Sequence, residues 1–203
     1  MKTMTGPWLF TVYGVCGLVI LLILTGMLVP GGLELWVMPV KGGPPLLVLP
    51  LEPGERFTIH YNHSVENSPI WETHSLDASG RIFIEEEQYL KFGAGMGKMP
   101  GVGRLVMRGP YEVIEEMHQP TGDFILRIGS PGVDHTIIWR DTRTNLSNIA
   151  PHTAVQFTGH QVCLITRMWR WVTGYPGLQQ AVQPSTLPIL SFMRKNKNDR
   201  YRQ

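Results

Sequence analysis

From Trp8 to Pro30 the chain runs 23 residues without a charged side chain, and the run is rich in Leu, Val and Ile. Coiled as a helix, a run of this length crosses a bilayer core of about 30 Å. A cleaved secretory signal has a shorter apolar centre, roughly 7–15 residues, and ends at a small-x-small site. Thr25, Gly26 and Met27 do not form one, and Val15 stands before Cys16 where lipoprotein processing expects Gly or Ala. The run therefore reads as a retained anchor, with a cleaved signal or a buried core helix as the competing assignments. Lys2 and the amino terminus precede it and Glu34 is the first acid after it, so the positive-inside bias places the body outside the cytoplasm. A second span is not expected. Arg167 and Arg170 interrupt the apolar stretch Val162–Val172, and Leu187–Met193 is too short.

The body is punctuated for strands and turns. Of 203 residues, 22 are Gly and 16 Pro, and only 17% are charged, which favours short elements over long helices. Segments rich in β-branched and aromatic residues occur at Arg56–His60, Ile70–Leu76, Arg81–Gln88, Tyr111–Met117, Phe124–Ile128, Thr136–Arg140 and Val162–Trp169. Turn signals such as Asn67-Ser68-Pro69, Ala78-Ser79-Gly80 and Pro120-Thr121-Gly122 separate most of them. The expected fold is all-β, an antiparallel sandwich or barrel-like domain preceded by one N-terminal transmembrane helix. The expected organisation is an anchor over residues 1–32, a Pro/Gly-rich linker and first strand over 33–53, the β-domain over 54–185 and a basic tail over 186–203. Within Arg81–Glu85, alternation sets Ile82 and Ile84 on one face against Arg81, Phe83 and Glu85 on the other.

Charge and cysteine content exclude further classes. The net charge is +2, yet Arg194, Lys195, Lys197, Arg200 and Arg202 sit together in the tail. The rest of the chain carries no basic stripe, so nucleic-acid binding is not expected. Disorder is expected of the tail, with contact to anionic lipid as the sharper alternative. Cys16 and Cys163 are not expected to pair.

The densest polar constellation runs from His60 to His74 and holds His60, His63, Ser64, Glu66, Glu72 and His74. Imidazole and carboxylate are common metal ligands, but on a strand His60 and His63 point to opposite faces, whereas Glu72 and His74 share one. A site joining His63 to Glu72 across a hairpin is one arrangement. Ser64 as a nucleophile lacks a Gly-x-Ser-x-Gly elbow and an identifiable oxyanion hole, so an enzyme is not expected. A polar turn presenting His63, Ser64, Glu66 and Glu72 to a partner or small ligand is preferred. The isolated His118, His135, His152 and His160 read as surface or satisfied core residues. In the glycine-rich segment Phe92–Gly103, Gly97-Lys98 lacks the earlier Gly and the following Ser or Thr of a phosphate loop. No nucleotide, other cofactor or metal is expected, and Gly93 and Gly95 read as part of a loop that permits unusual backbone angles or close approach to another chain.

Tyr61-Asn62-His63-Ser64-Val65-Glu66, with Pro69 and Glu72, followed by Phe92-Gly93-Ala94-Gly95-Met96, resembles a bacterial family catalogued as domain of unknown function 1850. The resemblance covers roughly Leu47–Met168. Members of that family are small, carry an N-terminal signal or anchor, and are often encoded beside membrane components of TAXI-type TRAP transporters. The resemblance thus implies an accessory module at the inner membrane, its β-domain facing the periplasm and contacting a transporter membrane subunit. The contacts would come from His63, Ser64, Glu66, Glu72, Gly93 and Gly95. A small-ligand or metal-binding periplasmic protein and a hydrolase of unknown substrate are the alternatives.

Overall fold

The computed structural model describes residues 7–63, 66–90 and 101–177. It opens with helix α1 (Pro7–Leu28), whose stretch Thr11–Leu28 is long and apolar enough to cross a membrane and is not buried against the rest of the chain. In chain order the strands are β1 (Pro30–Pro39), β2 (Leu47–Leu51), β3 (Arg56–Asn62), β4 (Pro69–Leu76), β5 (Ile82–Tyr89), β6 (Arg104–Arg108), β7 (Tyr111–Glu115), β8 (Gln119–Pro120), β9 (Phe124–Arg127), β10 (Thr136–Trp139), β11 (Thr142–Asn145) and β12 (Ala154–Cys163). A one-turn helix α2 (Leu146–Ile149) precedes β12 and helix α3 (Leu164–Thr173) follows it.

The strands form two antiparallel sheets. The smaller has the order β2-β1-β12-β9; the larger runs β11-β10-β3-β4-β5-β7-β6, with β8 added on β5. Neither closes among the described residues, so the domain is an open sandwich and not a barrel. Leu33, Leu35 and Val37 of β1, Leu47, Leu49 and Leu51 of β2, and Val155 and Phe157 of β12 meet Phe57, Ile59, Leu76, Ile82, Ile137 and Trp139 from the larger sheet in one apolar core. Alternation explains the choice: these residues fall at every second position of their strands and so share one face.

Six of the seven segments expected to be strands are strands, at Arg56–Asn62, Pro69–Leu76, Ile82–Tyr89, Tyr111–Glu115, Phe124–Arg127 and Thr136–Trp139. Two expectations are corrected. The segment 33–53, expected as a linker and first strand, holds two strands where one was expected: β1 lies inside the smaller sheet and pairs with both β12 and β2. Its prolines, Pro30 and Pro39, stand at the strand ends, and Pro50 sits on β2 at the sheet edge, where a missing N–H costs little. The strand expected over Val162–Trp169 stops at Cys163, and α3 begins at once. There the two arginines repeat at a spacing of three, which gathers charge on one face of a helix but scatters it in a strand. Strands β6 and β11 and most of β12 were not anticipated. The tail expected over 186–203 lies outside the described residues.

Candidate functional site

The smaller sheet ends at β9, whereas the larger continues through β5, β7 and β6. Phe124 of β9 stacks on His74, with centroids 5.4 Å apart, and closes the apolar core there. Beyond that point the inner face of the larger sheet turns polar, and Tyr61, Glu72, His74, Glu87, Tyr89 and His135 gather on it.

Pairing register places these groups. Glu72 lies opposite Ile59 of β3 on one side and Glu87 of β5 on the other. The second pairing depends on a bulge in β5. His74 pairs with Ile84 but Thr73 pairs with Glu86, which leaves Glu85 as an extra residue. The bulge reverses the alternation, so Glu87 and Tyr89 share a face with Ile82 and Ile84 instead of opposing them. Glu85 is held by the Ser75 hydroxyl at 2.6 Å and by His118 Nδ1 at 3.0 Å.

The Tyr61 hydroxyl donates to Glu72 Oε1 at 2.8 Å, and the Tyr89 hydroxyl donates to Glu87. His74 Nε2 stands 3.7 Å from Glu72 Oε2, an electrostatic contact too long for a hydrogen bond. Its ring is buried, stacked between Phe57 and Phe124, and among the described residues neither ring nitrogen has a hydrogen-bond partner. His135 stacks on Tyr61 at 4.9 Å and accepts the Gly129 N–H at Nδ1.

The two carboxylates are driven apart electrostatically. Burial acts to raise Glu72, but His74 and the Tyr61 hydroxyl more than offset it, and its pKa lies below the ordinary carboxylate value. Burial, reinforced by the charge of Glu72, raises Glu87 despite the bond from Tyr89. Burial and the adjacent carboxylates push both tyrosines up, so they remain protonated donors. Burial also lowers His135. Like charges facing each other across a strand pair are unfavourable in an isolated sheet. Held here by neutral hydroxyls, the pair forms a half-buried anionic spot suited to a cationic group. Among the described residues no three His, Cys, Asp or Glu side chains converge as a metal set.

The residues expected to form the site are only partly brought together. Glu72 is central and shares its face with His74, as the alternation predicted. His63 and Glu66 lie in the β3–β4 turn, where the Glu66 N–H donates to His63 Nδ1 at 3.2 Å and the His63 N–H donates to the Ser68 carbonyl at 2.8 Å. Among the described residues the hydrogen bonds of His63 thus lie within its turn, whereas Glu72 meets Tyr61 and His74. Ser64, Gly93 and Gly95 lie outside the described residues. Glu87, Tyr89 and His135 were not singled out; the bulge hides the first two, and His135 arrives from the loop just before β10, distant in sequence.

Fold and site together define an open antiparallel β-sandwich domain with an apolar N-terminal helix and an acid pair on its inner face. Residues 57–146 match the family described as Domain of unknown function (DUF1850). The match contains every member of the acid-pair site but none of β1, β2 and β12. No curated protein and no solved structure matches the chain.

Proposed function

We propose that the protein is a membrane-tethered, extracytoplasmic accessory module of a TRAP-type (TAXI) solute transporter, acting by protein–protein contact and not by catalysis. The observation that carries this reading is the join between helix and domain. Only Val29 separates α1 from β1, an interior strand, so a domain on such an anchor has no stalk and stands at the height of a neighbouring membrane subunit. The motif resemblance to a family often encoded beside such transporters supports the choice of partner. The turn at His63–Ser68 and the segment around Gly93 and Gly95 are the contacts. Purification from mild detergent after light cross-linking is expected to recover a multi-pass transporter subunit; recovery of the protein alone would overturn the reading.

The acid pair favours a second reading, a periplasmic protein that binds a small cationic ligand. An organic amine is expected to raise the melting temperature of the wild-type chain and to have no effect on Glu72→Ala. An equal shift in both chains would remove this reading.

A further inference from the structure

Helix α3 is inside out for a helix packed on a soluble domain. At roughly 100° per residue, Thr166, Arg167 and Arg170 occupy one narrow sector, and Leu164, Ile165, Met168, Trp169, Trp171 and Val172 fill most of the remainder. The polar sector faces the protein. Arg167 donates to Glu52 at 2.6 Å, and Arg170 pairs at 2.9 Å with Glu34, which is wholly buried, while lying over the Trp36 ring. The apolar sector faces outward: Met168 is 59% exposed, Trp169 66%, Trp171 83% and Val172 74%. A soluble domain gains by the opposite orientation, because apolar area left in water forfeits about 25 cal/mol per Å².

The position of α3 says what covers this face. The Leu164 N–H donates to the Val29 carbonyl at 2.9 Å, so α3 starts at the level where α1 ends. Ile165 then packs against Gly26 of α1, where even an added Cβ would stand in ordinary contact at 3.6 Å. The outward face of α3 is therefore continuous with a helix long and apolar enough to lie in a bilayer. Tryptophan favours the boundary between headgroups and acyl chains, and helices lying in that layer bury their apolar side in it.

We propose that α3 is an interfacial helix, its Leu164, Met168, Trp169, Trp171 and Val172 side embedded in the headgroup–acyl boundary of the bilayer that α1 enters. The Arg170–Glu34 and Arg167–Glu52 pairs then fix the β-domain to that layer in one orientation, α1 supplying the tether and α3 a second point of attachment.

The test uses the full chain, with Cys16 and Cys163 changed to Ser, reconstituted alone in phosphatidylethanolamine–phosphatidylglycerol vesicles. Nitroxide labels are placed one at a time through Met168→Cys, Trp171→Cys and Val172→Cys, with Met107→Cys, on a strand of the larger sheet, as reference. The ratio of collisions with oxygen to collisions with an aqueous nickel chelate is expected to rise several-fold at 168, 171 and 172 over that at 107. Labels that meet the chelate as often as the one at 107 would overturn the proposal, since the face would then be in water. Labels shielded from both reagents would overturn it too, in favour of a second copy of the chain. Three separate positions guard against one label disturbing the helix. No transporter is present, so the outcome is independent of the accessory role.

Discussion

At the scale of single residues, the environment of each titratable group can be read through its effect on stability. The folded chain holds Glu87 above its ordinary pKa, through burial and then the charge of Glu72. A carboxyl raised on folding opposes stability once the pH passes its unfolded value near 4.5, because the unfolded chain then ionises more readily. Glu87→Gln, which still accepts the Tyr89 hydroxyl, is expected to raise the melting temperature at pH 7, the gain fading as the pH falls below that value. Glu72→Gln is expected to lower it at pH 7, because its depressed pKa marks a carboxylate that the fold prefers charged. Thermal melts of both variants across pH 4–7 check the opposite signs. His60, on the other face of the sheet, is lowered to about 4 by burial and then by Arg143. Between that value and 6.5 the unfolded chain binds a proton that the folded chain refuses, so stability is complete above 6.5 and drains away as the pH falls toward 4. His60→Phe, which can keep the contact with Trp71 at 4.9 Å, is expected to lose less melting temperature than wild type between pH 7 and pH 5. The pairing of Glu72 with His74 on one face was legible in the sequence, since plain alternation predicts it. Glu87 was not, because one unpaired residue at Glu85 reverses the alternation and leaves no mark in a run of three glutamates.

At the scale of elements, what sequence periodicity revealed depends on how clean the punctuation was. β3, β4 and β5 stand between turn residues and were visible. β1 was not, since prolines that mark strand ends and a sheet edge look, in one dimension, like those of a linker. α3 was hidden for the converse reason: an apolar face turned outward gives a segment too apolar for a surface helix and too charged for a second span. A close backbone contact between the sheets was invisible as well. Gly159 of β12 passes so close to the 77–80 turn that a Cβ there would stand 1.9 Å from the Gly80 carbonyl oxygen and 2.9 Å from Leu76 Cδ2. The Gln161 side chain donates to the Ala78 carbonyl at 2.7 Å beside it. Backbone cannot yield as a flexible side chain does, so Gly159→Ala is expected to cost about 1–3 kcal/mol, the range for overpacking. Urea unfolding measures it, and a loss below a few tenths of a kcal/mol would mean that the turn and β12 separate freely.

At the scale of the whole molecule, the absence of slack between helix and sandwich is the property most open to test. The Val29 N–H completes the end of α1 by donating to the Thr25 carbonyl at 3.0 Å, its own carbonyl receives α3, and Pro30 already pairs with Cys163. These bonds leave only φ and ψ of Val29 between helix and sheet, and the packing of Ile165 against Gly26 opposes rotation about them. If the domain works against a partner fixed in the same membrane, height and orientation matter as much as the contact residues themselves. Twelve Gly and Ser residues inserted after Leu28 would leave the Val29–Leu164 bond and the whole β-core intact while adding a flexible reach of about 20 Å. The melting temperature of the sandwich is expected to stay unchanged, because none of the described α1 side chains belongs to the apolar core. On the proposed accessory role, recovery of a transporter subunit after light cross-linking is expected to fall several-fold, since a freely swinging domain no longer presents its turn at one fixed height. Recovery equal to that of the unaltered chain would show that the domain finds its partner by side-chain contact alone, and that the rigid join serves only to set the sandwich on the membrane.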